Sequence, residues 1–254
     1  MTDLDFALSI KGGDIKESLS KVDDYSLLYK FSPLLGNFLT VVDFQAADSV
    51  LEISSSYGIT QYYLNRVTNI EKKMNEEQEK INHILYDNKV KKYNGKGSFD
   101  KIIVEATSEL PNLLTDLLKV LKKDGQIILV SNNSYSISSL SGKPNVKNEF
   151  FGSLEDSSCY SRKGLIDIFE QLNLKSYFYY PLPDRYFANE IFSDEFLPNM
   201  GDIRNIKTYY GKERVVLFDE EKALERIIKS GEFQTFAPAF VVKLVRWWKL
   251  CILK

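Results

Sequence analysis

The sequence predicts an α/β fold in which a mainly parallel sheet carries helices on both faces. Short apolar runs rich in Val and Ile recur along the chain, segments with helical apolar spacing separate them, and turn-forming residues mark the boundaries. Strands and helices that alternate in this way form βαβ units, whose parallel strands are buried on both faces. The 254 residues suit one large domain or two small ones. With 44% hydrophobic and 27% charged residues, the chain is neither disordered nor fibrous.

Seven apolar runs are predicted to be strands. In chain order they are Ser49–Ile53, Arg66–Glu71, Lys89–Tyr93, Phe99–Glu105, Gln126–Val130, Leu174–Tyr180 and Ala239–Val245. The helices between them are predicted at Ile59–Leu64, Asn75–Tyr86, Leu113–Leu121, Ser161–Leu172 and near Glu220–Ser230. Gly125 follows the third of these helices, as a glycine that stops a helix does.

Three parts are expected along the chain. Residues 1–47 form a helical N-terminal cap, residues 48–245 form the α/β domain with an insert at 181–236, and residues 246–254 form a basic, aromatic tail. In the tail, Trp247 and Trp248 stand among Lys and Arg residues, a combination that can lie at lipid headgroups. The alternative for the tail is docking on the domain or on a protein partner.

Charge and cysteine content narrow the functional classes. The 33 basic and 35 acidic side chains give a net charge of −2, which is not the footprint of a general nucleic-acid binder. Two cysteines cannot build a disulfide framework, and the N-terminus lacks the pattern of a signal peptide. No uncharged apolar stretch is long enough to span a bilayer. These observations predict a cytoplasmic protein.

The turn after the first predicted strand is the strongest candidate for a ligand site. It reads Ser54-Ser55-Ser56-Tyr57-Gly58, and Glu71 ends the next strand thirteen residues later. Small residues let the backbone bend tightly toward a ligand, and an acidic residue at that strand end can accept hydrogen bonds from ribose hydroxyls. The pattern predicts a nucleoside site. The alternative is an ordinary βα turn beside a polar strand end.

These residues resemble motifs of the class I S-adenosylmethionine-dependent methyltransferases. Val50–Gly58 is similar to their motif I, V-L-E-I-G-x-G-x-G, and Val67–Glu71 to their V-T-x-I-E. Phe99–Val104 resembles their fourth strand and Leu117–Val130 their helix-turn-strand written L-K-P-G-G. The resemblance implies a seven-stranded Rossmann-like sheet and S-adenosylmethionine as cofactor. It implies that the cofactor is held by a set of residues from the motif regions: Glu52, Ser54, Ser56, Gly58, Glu71 and Asn94.

Further segments resemble a branch of that family found in bacterial surface-polysaccharide biosynthesis. They are Tyr29–Pro33, Tyr179–Asp184, Ile191–Pro198 and Phe233–Phe236. Members of the branch often stand beside, or are fused to, glycosyltransferases. The resemblance therefore implies a sugar or glycan precursor as substrate and a glycosyltransferase or methyltransferase as a partner.

The sequence departs from the family pattern at two places in the same site. Ser54 and Ser56 replace two of the three motif glycines, and a serine in a left-handed conformation costs on the order of 1 kcal/mol or more. The stretch from Asp87 to Phe99 is short and basic, so that only Asn94 is available there for the adenine amino group. Both departures favour weaker cofactor binding.

Other chemistry-bearing residues give weaker signals. Glu105 follows the fourth strand and is predicted as a general base, with a solvated strand end as the alternative. Asp194 and Glu195 are neighbours, which favours a structural corner over paired carboxylates. A single histidine, His83, excludes a histidine metal cluster, and Cys159 and Cys251 lack the spacing of a zinc site.

Three functions follow from the sequence. The first is methyl transfer from S-adenosylmethionine to a hydroxyl of a sugar or glycan precursor. The second is a catalytically inactive relative that binds or scaffolds an active methyltransferase or glycosyltransferase, which the serine turn favours. The third is a nucleotide or sugar-nucleotide binder that uses Ser54–Ser56 for phosphate, although the chain has no P-loop lysine.

Overall fold

A computed structural model describes residues 1–10, 14–142, 157–203 and 217–247. They form one eight-stranded sheet in the order β3-β2-β1-β4-β5-β8-β6-β7. The strands are β1 Ser49–Ile53, β2 Asn69–Lys72, β3 Val90–Lys92, β4 Phe99–Glu105, β5 Leu121–Asn132, β6 Leu174–Leu182, β7 Glu190–Ser193 and β8 Ala239–Arg246.

Helices precede, separate and follow the strands. The described α-helices are α1 Asp3–Ile10, α2 Ile15–Ser20, α3 Tyr25–Phe31, α4 Gly58–Tyr63, α5 Glu76–Tyr86, α6 Leu110–Val120, α7 Ile137–Leu140, α8 Arg162–Gln171, α9 Glu220–Ser230 and α10 Phe233–Phe236. A 3-10 helix covers Pro33–Val41, and the Ser32 side chain caps it by accepting from the Leu34 amide.

The first five strands of the chain are parallel to one another, and the far side of the sheet is antiparallel. Strand β8 inserts antiparallel between β5 and β6, and β7 pairs antiparallel with β6 at the edge. The predicted Rossmann-like α/β architecture is confirmed, with eight strands in place of seven. The additional strand, β7, lies in the segment 181–236 that the sequence assigns to an insert, where four residues pair with the end of β6.

Helices cover both faces of the parallel strands, as predicted. On one face, α6 and α8 pack against alternate residues of the central strands, such as Leu51, Val104 and Leu129. On the other face, α4, α5 and the 3-10 helix pack against the intervening residues, such as Val50 and Ile103. Residues that alternate along each strand therefore fill two separate cores, as a sheet buried on both sides requires.

The N-terminal helices form a third apolar cluster against α5 and the first βα turn. Phe31 of α3 stacks on Tyr57 of the turn with ring centroids 4.7 Å apart, and Phe6 of α1 meets Phe31 edge-on at 4.9 Å. Ile81 of α5 completes this cluster. The N-terminal segment is thereby fixed directly over the turn that the sequence singles out.

Gly125 does not stop a helix. Helix α6 ends at Val120, and Gly125 lies within β5. A Cβ at Gly125 would approach the Phe99 carbonyl oxygen at 3.0 Å and the Leu121 side chain at 2.8 Å. The glycine is therefore explained by the close approach of β4, where the β4–β5 register shifts, and not by the end of a helix.

At the C-terminus, β8 ends at Arg246 and the Trp247 amide donates to the Asn173 carbonyl oxygen at 3.0 Å. Trp247 itself is exposed. The rest of the predicted tail, residues 248–254, lies outside the described residues. Across the described ranges, no helix combines the length and the apolar character that crossing a membrane requires.

Candidate functional site

The candidate residues gather at one edge of the sheet. Strands β1, β2 and β4 are parallel neighbours, and they end at Ile53, Lys72 and Glu105. Because parallel strands present their carboxyl ends at the same edge, the first βα turn, Glu71 and Glu105 all lie there. Open α/β sheets bind ligands at this edge.

A fully buried ion pair lies beneath the first βα turn. Glu52 of β1 is paired in register with Lys72 of β2, and the Lys72 ammonium lies 2.7 Å from the Glu52 carboxylate. The same carboxylate accepts from the hydroxyls of Ser54, Thr60 and Tyr63. Burial is the main cause that raises the pKa of the Tyr63 hydroxyl, which therefore stays a donor to Glu52. Glu52 is thus fully engaged inside the protein.

The two serines that replace motif glycines turn their side chains inward. Ser54 donates to the Glu52 carboxylate, and Ser56 donates to the Lys30 carbonyl oxygen at 3.2 Å. Neither serine is among the described residues with positive φ. The left-handed strain that a serine could cause here is therefore absent, and the buried Cβ atoms add no bulk to the outer side of the turn.

Two backbone amides of the turn, and that of Ile59 directly after it, bond within the protein. Ser55 N–H donates to the Glu105 carboxylate at 3.2 Å, Tyr57 N–H to the Lys30 carbonyl oxygen at 2.7 Å, and Ile59 N–H to the Ser56 hydroxyl at 3.3 Å. A phosphate held by a turn needs such amides as donors. The arrangement disfavours the phosphate-binding alternative.

Gly58 begins α4 directly beneath the N-terminal segment. A Cβ at this position would lie 1.9 Å from the Ser32 carbonyl oxygen and 2.7 Å from the Ser32 carbonyl carbon. Such contacts are impossible without movement of the backbone. Close approach of the N-terminal segment therefore explains the one glycine that the turn retains.

Glu71 lies at the end of β2 with its carboxylate available. The residue is partly buried. Its carboxylate accepts no hydrogen bond and forms no ion pair with any part of the chain that the structure describes. Burial raises the pKa of the Glu71 carboxyl, and the nearby Lys91 ammonium opposes that shift. Its surroundings include Tyr93, whose own pKa is raised by burial and then by the Glu71 charge. Its assignment to the ribose hydroxyls stays a prediction.

Asn94 bonds within its own loop. The side chain is exposed, and its carbonyl oxygen accepts from the Lys96 amide at 3.0 Å, across Gly95, which has a φ of +87°. This is an Asx-type turn, which an asparagine forms regardless of any ligand. Its assignment to the adenine amino group stays a prediction, as do those of Glu52, Ser54, Ser56 and Gly58.

Glu105, at the end of β4, contacts residues of two other segments of the chain. Its carboxylate accepts from Ser55 of the first turn and lies 2.7 Å from the Arg185 guanidinium, which follows β6. Burial alone would raise the pKa of the Glu105 carboxyl, but Arg185, the Ser55 amide and Lys72 together outweigh burial, so the pKa lies below its usual range. Glu105 is therefore ionised and a weaker base than a solvated glutamate. Its role as a general base stays a prediction.

The loop that carries Arg185 is fixed by its neighbours. The Asp184 carboxylate accepts from the Tyr186 and Phe187 amides at 2.8 and 2.9 Å. Tyr186 packs edge-on against Tyr29 of α3, with ring centroids 5.0 Å apart. The loop thereby connects the sheet edge to the N-terminal helices.

Two further sequence candidates lie away from this edge. Asp194 accepts from Arg162, Tyr180 and Gln234, so it forms the structural corner that the sequence favours. His83 is exposed on α5 and bonds to Asn88 at 2.8 Å.

Sequence reasoning missed Lys72 and Arg185, two basic residues that pair with glutamates at this edge. A lysine within the apolar end of β2 could have indicated an internal ion pair with Glu52. Arg185 directly follows the Tyr179–Asp184 segment, but only the folded chain brings it to Glu105, 80 residues earlier.

Neither the scan of family models nor the search of curated proteins found a match. Among similar solved structures, the plantazolicin methyltransferase BpumL, in complex with a monoazolic desmethylPZN analog and SAH, is 16% identical over 94% of this chain and 93% of that chain, with a TM-score of 0.48. The mitomycin 7-O-methyltransferase MmcR is 10% identical over 94% of this chain and 60% of that chain, with a TM-score of 0.48. The precorrin 8w decarboxylase of Methanobacterium thermoautotrophicum is 13% identical over 59% of this chain and 76% of that chain, with a TM-score of 0.39. The functional conclusion therefore rests on the geometry of this chain.

Proposed function

We propose that the protein binds S-adenosylmethionine at the carboxyl edge of β1, β2 and β4 and methylates a hydroxyl of a sugar or glycan precursor in bacterial surface-polysaccharide biosynthesis. The observation that carries the proposal is the Glu71 carboxylate, one residue before the end of β2, which accepts no hydrogen bond and forms no ion pair among the described residues. A half-buried carboxylate without a donor is unfavourable, and the two hydroxyls of a ribose would satisfy it.

The first βα turn is compatible with a nucleoside beside Glu71. Ser54 and Ser56 keep negative φ and point inward, so the turn keeps its shape without its glycines. The buried pair of Glu52 and Lys72 fixes the turn from below, because Lys72 also donates to the Ser56 carbonyl oxygen. A rigid turn costs little entropy when a ligand binds.

The polysaccharide role is supported by where the branch-like segments lie. Tyr179–Asp184 leads directly into Arg185, which contacts Glu105 at the candidate site. The Ile191–Pro198 and Phe233–Phe236 segments meet at Asp194, where Gln234 donates to its carboxylate at 2.6 Å. Of the segments that resemble the branch, Tyr179–Asp184 thus leads to the proposed site, and the other two contact each other at Asp194.

Methyl transfer requires mainly that the acceptor oxygen and the methyl group be aligned. When bound, S-adenosylmethionine supplies an electrophilic methyl group, and transfer to oxygen requires that the acceptor be held in line with it. Glu71 is assigned to hold the ribose, and the turn Ser54–Gly58 to lie beside the bound nucleoside. The N-terminal helices, which contact that turn through Lys30 and Phe31, are placed to exclude water.

Replacement of Glu71 by alanine is expected to weaken S-adenosylhomocysteine binding by about 10- to 100-fold, because hydrogen bonds to a charged group contribute about 1.5–3 kcal/mol. Isothermal titration of the wild type, Glu71→Ala and Glu71→Gln measures the effect. Glu71→Gln retains one acceptor oxygen and should lose less affinity than Glu71→Ala.

The matched control is Asp116→Ala, which removes an exposed carboxylate on α6. It should bind S-adenosylhomocysteine as the wild type does. Equal affinity of Glu71→Ala and Asp116→Ala would remove Glu71 from the site, and circular dichroism of each variant excludes unfolding as the cause of a loss.

A second function, a non-catalytic subunit that binds or scaffolds an active methyltransferase or glycosyltransferase, is favoured by one observation. The amides of Ser55, Tyr57 and Ile59 are all bonded inside the protein. If the wild type binds neither S-adenosylmethionine nor S-adenosylhomocysteine but raises the activity or stability of such an enzyme, this second function replaces the first.

A further inference from the structure

Part of one face of the antiparallel half of the sheet is left open by the described part of the chain. Helix α8 packs on the face that carries Phe178. On the opposite face, the register pairs Tyr177 of β6 with Lys243 of β8, and Lys175 with Val245. These four side chains are exposed or half-buried, and none of them belongs to an apolar cluster of the described residues. This part of the sheet is therefore accessible to a partner.

The open face carries two lysines without a counter-charge. The Lys175 and Lys243 ammonium groups lie 4.8 and 5.1 Å from the centroid of the same Tyr177 ring. Neither lysine forms an ion pair within the described ranges. The residues that the register of β5, β6, β7 and β8 places on this face include no acidic side chain, and Asp124, the one acidic residue of β5, lies beyond the paired residues. Two like charges at one ring repel each other, and an anionic partner would relieve that repulsion.

An exposed tryptophan lies at the end of the same face. Trp247 follows Val245 by two residues, and its amide donates to the Asn173 carbonyl oxygen, so it continues the alternation of β8. Trp247 is 54% exposed. Aromatic rings among lysines are characteristic of protein surfaces that lie at lipid headgroups. The aromatic-basic face is defined by five residues: Lys175, Tyr177, Lys243, Val245 and Trp247.

The sequence that follows Trp247 has the same character. It reads Trp248-Lys249-Leu250-Cys251-Ile252-Leu253-Lys254, in which apolar residues stand between lysines and no acidic residue occurs. An acidic protein surface would attract the lysines but would leave the aliphatic residues without a partner. A lipid surface satisfies both, because its headgroups attract lysine and its acyl chains take up apolar side chains. The composition therefore favours a lipid surface over an acidic protein.

We propose that the aromatic-basic face docks on a lipid surface that carries anionic headgroups. The Lys175 and Lys243 ammonium groups approach the headgroup phosphates, and Trp247 enters the boundary between headgroups and acyl chains. Strand β8 ends beside the start of β5, because Val245 pairs with Gln126. The tryptophan therefore lies at the opposite edge of the sheet from the carboxyl ends of β1, β2 and β4, so that docking leaves that edge accessible. This docking does not depend on the proposed function.

Tryptophan fluorescence of the wild-type chain tests the docking directly, because the two tryptophans of the sequence are Trp247 and Trp248. Vesicles of phosphatidylcholine with phosphatidylglycerol are expected to shift the emission to shorter wavelength. Vesicles of phosphatidylcholine alone, at the same lipid concentration, should leave it unchanged. Added salt should weaken the shift, because charges on an exposed face are screened. An unchanged emission with anionic vesicles, or an equal shift with both kinds of vesicle, would overturn the inference.

The double variant Lys175→Gln/Lys243→Gln separates the sheet face from the residues that follow it. Co-sedimentation with vesicles that contain phosphatidylglycerol is expected to show binding about 10- to 30-fold weaker than that of the wild type. Trp247→Ala should weaken the binding as well. The matched control, Lys80→Gln/Lys229→Gln, removes the same charge from exposed positions on α5 and α9 and should bind as the wild type does.

The other outcomes assign the face differently. If Lys175→Gln/Lys243→Gln binds vesicles as tightly as the wild type, or loses no more affinity than the control, the aromatic-basic face is not the docking surface. Circular dichroism shows whether a variant is folded, and the wild-type fluorescence decides if it is not. If the wild type binds no vesicles but binds soluble polyglutamate through the two lysines, the partner is an acidic protein and the inference is overturned. A wild-type dimer that binds neither, and that the same replacement dissociates, would assign the face to a second copy of the chain.

Discussion

Replacement of Lys72 by methionine is expected to lower the free energy of unfolding by about 3–5 kcal/mol, the cost of breaking a buried ion pair from one side. The Lys72 side chain is fully buried and donates to Glu52, to the Ser56 carbonyl oxygen and to the Thr60 hydroxyl. Methionine has a similar volume but leaves the Glu52 charge without a counter-charge in the interior. Urea-induced unfolding followed by circular dichroism measures the loss.

Lys73→Met is the matched control for this variant. Lys73 is the next residue and is exposed, so its replacement should change stability by no more than about 0.5 kcal/mol. The double variant Glu52→Gln/Lys72→Met should regain part of the loss, because the neutral amide can still accept from Thr60 and Tyr63. If Lys72→Met were as stable as Lys73→Met, the buried pair would not be a stabilising feature of the turn.

Replacement of Gly58 by alanine is expected to cost about 3 kcal/mol, the upper part of the usual range for overpacking. The added Cβ would lie 1.9 Å from the Ser32 carbonyl oxygen, and a backbone atom cannot move aside as a flexible side chain can. Either α4 or the N-terminal segment must shift. Thermal unfolding should show a lower Tm, and the N-terminal helices should become more sensitive to protease.

Gly164→Ala provides the comparison. Gly164 lies inside α8, where an added Cβ meets only the Ser161 hydroxyl oxygen at 3.3 Å. Alanine is also the better helix former, so this change should be neutral or mildly stabilising. If Gly58→Ala behaved like Gly164→Ala, the close approach of the N-terminal segment to the turn would be refuted.

The parts of the fold that local patterns encode were predictable. The alternation of apolar strands with amphipathic helices predicted the parallel half of the sheet. Strand β7 was not predictable, because Glu190–Ser193 has no strand pattern of its own and pairs only because β6 continues to Leu182.

The sequence predicted where the candidate site lies but not which of its side chains pair with each other. The sequence indicated the turn and the ends of β2 and β4, since polar residues there follow apolar runs. It could not show that Lys72 pairs with Glu52 or that Arg185 reaches Glu105. Both contacts depend on sheet register and loop closure between segments 20 and 80 residues apart. Nor could it show that Ser54 and Ser56 face inward, which depends on the N-terminal segment and on Glu52.

Titration of the wild-type protein with S-adenosylhomocysteine tests the central claim, that the edge formed by β1, β2 and β4 holds this nucleoside. We predict one site per chain with a Kd near or below about 10 μM, roughly −7 kcal/mol. The absence of binding heat at high protein concentration and at two temperatures would contradict it.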